Sequence, residues 1–171
     1  SLVHTFYLWH CADITSRAAK ALGHTEDAVK YAQMAEEVRM AFDRTFFDEE
    51  TQSCGPNGDN IFALSMGLGA EHQAQLINKV RKEIAEGTKG HVNVGFIGAK
   101  YFFEALARHG MNDLAYEAMN KTDFPSYGHW IAQGATTTWE QWDGGNSRNH
   151  PMMGSGLTWF SRNLAGVQYD E

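Results

Sequence analysis

A chain of 171 residues with 43% hydrophobic and 20% charged side chains and only three prolines has the make-up of one globular domain, with little room for a second. Fourteen basic against 21 acidic side chains leave a net charge of −7, which argues against nucleic-acid phosphates or an anionic membrane surface as partners and favours neutral or cationic small ligands. Cys11 and Cys54 are the only cysteines, so no disulfide framework can be read and the compartment stays open.

The opening "SLVHTFYLWHC" lacks the basic lead of a signal peptide, no apolar run approaches a membrane span, and the start resembles a stretch cut from a longer chain. Leu2 to Leu22 reads as a helix with Phe6, Trp9, Ile14 and Ala18 on its apolar side, stopped by Gly23. Thr25, Glu26 and Asp27 open the next, whose stripe is Ala28, Tyr31, Ala35, Val38 and Phe42, up to about Phe47. After the turn-rich "DEETQSCGPNGD", Asp59 to Leu68 is a short, almost continuously apolar helix. Glu71 to Glu86 is an amphipathic one with Leu76, Val80 and Ile84 on one face. Alternation of greasy and charged helices suggests an inner and an outer layer. Phe96 to Arg108 is again strongly apolar and ends at His109-Gly110; Asn112 to Asn120 follows, capped by Asn112 or Asp113. No helical period persists from Lys121 to Asn149, a length that in a compact domain usually marks a functional loop. A last helix, about Met153 to Leu164, carries Leu157, Phe160 and Leu164. The expected fold class is therefore all-α, built of antiparallel helical hairpins.

Chemistry concentrates in "QGATTTWEQWDGGNSRNH", Gln133 to His150. Glu140 has two readings. Thr137-x-x-Glu140 fits a capping box, although Asp143-Gly144-Gly145-Asn146 would end such a helix within two turns. Alternatively, Trp139 and Trp142 give a flanked carboxylate the apolar surroundings that tune acid–base groups. Asp143, three residues on, leaves little room for a sugar between two carboxylates, so a partner carboxylate from elsewhere is the better expectation. His150 follows a turn, where a histidine is commonly a structural hydrogen-bonder. The eight histidines form neither an HxxxH pair nor a cluster with cysteine, and no phosphate loop or nucleophile elbow occurs, so neither metal nor cofactor is expected.

The blocks "VGFIGAKY", "TDFPSYGHWIAQGATTTWEQWD" and "NHPMMGS", with the helices "LVHTFYLWHCADITSRAAKALG" and "DAVKYAQMAEEVRMAFDRTFF", resemble the C-terminal half of the catalytic domain of bacterial α-L-rhamnosidases, glycoside hydrolase family 78. The resemblance implies that residues 1–171 are one domain forming about half of an (α/α)6 barrel, in an enzyme that removes terminal α-L-rhamnose with inversion. It implies Glu140 as general base, His150 lining the rhamnose pocket, and Trp139 and Trp142 supporting it. The family's general acid lies in an upstream acidic loop without a counterpart here, so the chain alone is expected to be inactive. The expected partner is a rhamnose-containing carbohydrate, and the exposed inner helices of a half-barrel favour self-association. Two other classes fit the helices less specifically: a non-catalytic module binding sugar or protein, and a different (α/α)6 enzyme.

Overall fold

The structure, a computed structural model, describes residues 1–56 and 58–167. Regular structure among them is helical, apart from an isolated antiparallel bridge between Asp48 and Ser53. The chain divides into two compact units, Ser1–Leu76 and Ile77–Glu171.

In the first unit, α1 (Leu2–Ala21) and α2 (Thr25–Phe46) form an antiparallel hairpin. Gly23 ends α1 as expected: its N–H donates to Lys20 O at 3.2 Å and that of His24 to Ala19 O at 2.8 Å, satisfying carbonyls that the helix leaves open. Glu26 and Asp27 occupy the first turn of α2, where the helix dipole favours negative charge. The anticipated stripe of α2 is its inward side, with Ala35 and Phe42 buried and Ala28, Tyr31 and Val38 half-buried. On α1 the expected stripe needs correction. Phe6 is fully buried, but Ile14 is 45% exposed, and Ala12 and Ala19 are buried instead. Those two alanines lie seven residues apart on one helix face, and small side chains let neighbouring helices approach closely.

The short α3 (Asp59–Met66) buries Ile61, Phe62, Ala63, Leu64 and Met66, as its nearly unbroken apolar run requires, with the Phe62 ring 4.9 Å from that of Phe6. Buried Asn60 is satisfied by the preceding loop: its Oδ1 accepts from Cys54 N at 2.8 Å and from Ser53 Oγ at 3.1 Å. Burial, reinforced by the charges of Asp43 and Asp59, pushes the Cys54 thiol up to about 12. At the start of α4 (Ala70–Lys82), His72 joins two earlier segments, with Nδ1 2.5 Å from Asp43 Oδ1 and Nε2 2.8 Å from Glu49 Oε1.

In the second unit, α4 gives way to a π-helical turn, Glu83–Gly87, that keeps Ile84 buried. Then α5 (Phe96–Arg108) buries Ala99, Phe102, Phe103 and Leu106. The His109-Gly110 stop leads into α6 (Asn112–Asn120). No side chain caps α6; Asn112 Oδ1 instead accepts from Trp159 Nε1 at 2.9 Å, so the amide satisfies a buried indole rather than its own helix end. A helix that the periodicity misses, α7 (Tyr127–Ala132), sits inside the stretch read as irregular. It is only six residues long, too short for a 3.6-residue period to register, and is held by its N-cap, Ser126 Oγ accepting from His129 N at 3.0 Å.

The last expected helix is three pieces: a 3-10 turn (Pro151–Gly154), α8 (Ser155–Trp159) and a π-helical turn (Phe160–Leu164). Its apolar face is also not the predicted one. Met153, Gly156 and Trp159 are buried, whereas Leu157 and Leu164 are 72% and 53% exposed. Trp159, stacked obliquely 6.0 Å from Phe103, offers more area to bury than either leucine and sets the rotation of the segment.

Candidate active site

Helix α7 supplies the floor. Trp130 on it is almost fully buried, with Trp142 at 4.4 Å and Trp139 at 5.8 Å between ring centroids, and Tyr127 meets Trp142 edge-on at 5.3 Å. Two polar atoms of this aromatic cluster are paired within it or beside it: Trp130 Nε1 donates to Trp142 O at 2.9 Å and Tyr127 OH to Met153 O at 2.6 Å. Burial pushes the Tyr127 phenol well above its ordinary value, which keeps it a neutral donor.

Over this floor runs a loop with two arms, residues 137–140 outward and 147–150 back. His150 N donates to Thr138 O and Thr138 Oγ1 donates to His150 O, both at 2.8 Å, and Glu140 N donates to Ser147 O at 2.8 Å. The Thr137 hydroxyl donates to Arg148 O. The capping-box reading therefore fails: no helix starts here, and the threonine hydroxyls satisfy carbonyls of the opposite arm, which has no ladder of its own. Asp143 serves the turn, its Oδ1 accepting from Gly145 N at 2.9 Å. Arg148 straps the loop from outside, with its guanidinium 4.8 Å from the centre of the Trp139 ring and Nε donating to Gly144 O at 3.2 Å.

Glu140 thus stands on a cross-linked arm, its side chain 23% exposed. Asn146 Nδ2 donates to Oε1 at 3.3 Å and Ser147 N to Oε2 at 3.2 Å. His150 Nδ1 lies 3.8 Å from Oε2, too far for a hydrogen bond but within reach of a charge. Phe96, from the first turn of α5, meets the imidazole in a T-shaped contact with ring centroids 4.9 Å apart, and His150 Nε2 is buried with no hydrogen-bond partner among the described residues.

The structure thus brings Glu140 and His150 together, ten residues apart in sequence. It places Trp142 half-buried beside them in the chain and Trp139 in the cluster, 7% exposed. Sequence reasoning passed over Asn146, Ser147, Arg148 and Trp130. Only the Gly-Gly-Asn run hinted at the first, as a tight turn. A separate groove of about 590 Å³ runs along α5 and α8 past Lys100, Glu104, Ser155 and Arg162; neither Glu140 nor His150 lines it.

The chain is similar to known proteins in sequence and in fold. An "Alpha-L-rhamnosidase" of Streptomyces avermitilis is 30% identical over 97% of this chain and 17% of its own length, and one of Alteromonas sp. (strain LOR) is 29% identical over 98% and 20%. The chain thus spans about a fifth of the length of these curated relatives. Among solved structures, the α-L-rhamnosidase from Dictyoglumus thermophilum superposes with a TM-score of 0.88 at 30% identity, covering 97% of this chain and 20% of that one. The S. avermitilis enzyme complexed with L-rhamnose gives 0.89 at 29% identity, covering 99% and 18%. The expected all-helical, six-hairpin class is borne out. Residues 1–164 match the sequence model of the bacterial alpha-L-rhamnosidase 6 hairpin glycosidase domain, and the chain belongs to that family.

Proposed function

We propose that this chain, as one continuous part of a single catalytic domain, carries the general-base side of the active site of an inverting α-L-rhamnosidase, and that Glu140 is the base. The observation that carries the reading is the Glu140 carboxylate itself: in a chain of the rhamnosidase family, it is held on a rigid loop over an aromatic floor with both oxygens hydrogen-bonded and a histidine 3.8 Å away. The substrate is a terminal α-L-rhamnose on a glycoside or polysaccharide, a class supported by the rhamnosidase relatives and by the L-rhamnose of the Streptomyces complex.

In such a reaction Glu140 takes a proton from water, the water oxygen attacks the anomeric carbon, and a second carboxylic acid protonates the departing glycosidic oxygen on the other face of the sugar. His150, partly exposed and beside Glu140, is suited to lining the sugar pocket. Trp142 supports the sugar's apolar face, and Trp139 holds the wall behind it through Trp130 and Arg148. We assign the acid to sequence outside these 171 residues, a reading supported by relatives about five times longer than the chain. One assay tests both statements. Glu140→Gln in the full-length enzyme should lower kcat on an aryl α-L-rhamnoside by roughly a hundred- to ten-thousandfold, and the purified 171-residue chain should release no rhamnose above a buffer blank. Unchanged turnover in the variant would remove Glu140 as base, and release by the chain alone would place an acid within it.

A further inference from the structure

A glutamate that activates water must offer it one particular lone pair, yet its terminal torsion is a broad, shallow rotor. In this chain the far arm of the same loop removes that freedom. Asn146 Nδ2 donates to Oε1 and Ser147 N–H to Oε2, at 3.3 and 3.2 Å, while the Glu140 N to Ser147 O bond of 2.8 Å fixes the distance between the arms. The backbone at Asn146 is left-handed, with φ +59°, a conformation that glycine adopts most easily and that asparagine and aspartate tolerate. Glycines already fill the two preceding positions. A third would have made the turn at less conformational strain but brought no donor, and an aspartate would have set a second carboxylate against Glu140. Asparagine meets both demands, for the backbone and for an amide that can reach the carboxylate.

We propose that Asn146 is a positioning residue for Glu140: its side-chain amide, together with the Ser147 N–H, fixes the plane of the carboxylate that activates water. The proposal rests on Glu140 being the base. It differs from a purely structural role in what should be lost when the amide goes. Asn146→Gly keeps the left-handed backbone and removes the donor; Asn146→Asp keeps size and backbone and replaces the donor by an acceptor. In the full-length enzyme both variants should unfold near the wild-type Tm. Each should lose about ten- to a hundredfold in kcat, the scale expected when a reacting group is misplaced by a fraction of an ångström to an ångström, with KM within about twofold of wild type. In a Glu140→Gln background neither should lower the residual rate further, because the group being positioned is gone. Wild-type kcat in Asn146→Gly would overturn the proposal. So would an equal further loss in the Glu140→Gln background, which would trace the effect to the loop's shape. Full turnover in Glu140→Gln alone would overturn the base assignment instead, and the two failures are thereby distinguished.

Discussion

Gly144 ties the shape of the loop to its chemistry. Its φ is +82°, and a Cβ there would come within 2.8 Å of Trp139 Cζ3 and 3.0 Å of Cε3, so both the backbone and the aromatic neighbour demand glycine. Gly144→Ala should therefore destabilise the chain by about 1–3 kcal/mol, read as a lower urea midpoint, and should reduce activity of the full-length enzyme by shifting Arg148 and the turn that presents Asn146. An unchanged midpoint would mean that the Trp139 ring does not lie against the turn. At this scale the sequence singled out the proposed base but not its fastenings. Glu140 and His150 stand out because "TTTWEQWD" and "NHPMMG" are specific patterns. The partners of Thr137, Thr138 and Asn146 lie six to twelve residues away across the loop, and the path by which the chain returns decides them, with no periodicity to reveal it.

Among the elements, the long helices were legible because each buries one periodic stripe, as α2 does with Ala35 and Phe42. Phase was legible only where one face clearly outweighed the rest; α1 and the final segment have two apolar faces, and tertiary packing chose between them. The link from α2 to α4 was not legible at all, since Asp43 and His72 are 29 residues apart. There the His72 imidazole is raised above its ordinary value, chiefly by its hydrogen bond to Asp43 Oδ1. Burial opposes the shift, while the bond to Glu49 and the two carboxylate charges add to it. Phe47 stacks on the ring at 4.1 Å, and Asp43 Oδ2 also accepts from Gly69 N at 2.8 Å, so the histidine closes a small lock on the start of α4. The folded state binds the His72 proton more tightly than the unfolded chain does. Its contribution is therefore fully present below the unfolded value of about 6.5 and is lost as pH rises through the raised folded value. The urea midpoint of the wild type should exceed that of His72→Gln most at about pH 5.5, below the unfolded value, and the gap should be smaller at about pH 9. An equal gap at both pH values would mean that the charge on His72 contributes nothing.

For the molecule as a whole, the mismatch in the last helix bears on how this chain behaves alone. Leu157, Phe160 and Leu164 recur at three- and four-residue spacing, the pattern of a helix face meant for burial, yet they are 72%, 37% and 53% exposed. Ile131, at 73%, adds another large apolar side chain exposed in the same unit. Scattered exposed leucines need no explanation, but a periodic row does, because contiguous apolar surface on an otherwise charged molecule favours association. The net charge of −7 opposes that association and weakens with salt. The mass of the purified 171-residue chain by light scattering should therefore rise above the monomer value with concentration, and rise more at about 0.5 M than at about 0.05 M salt, where the charges are less screened. Replacing Leu157 and Leu164 together by aspartate, at positions already open to solvent, should restore the monomer mass with little change in helicity. A wild-type chain that stays monomeric at high concentration and salt would show that the row needs no cover. Undiminished association of the double variant would place the contact on another face.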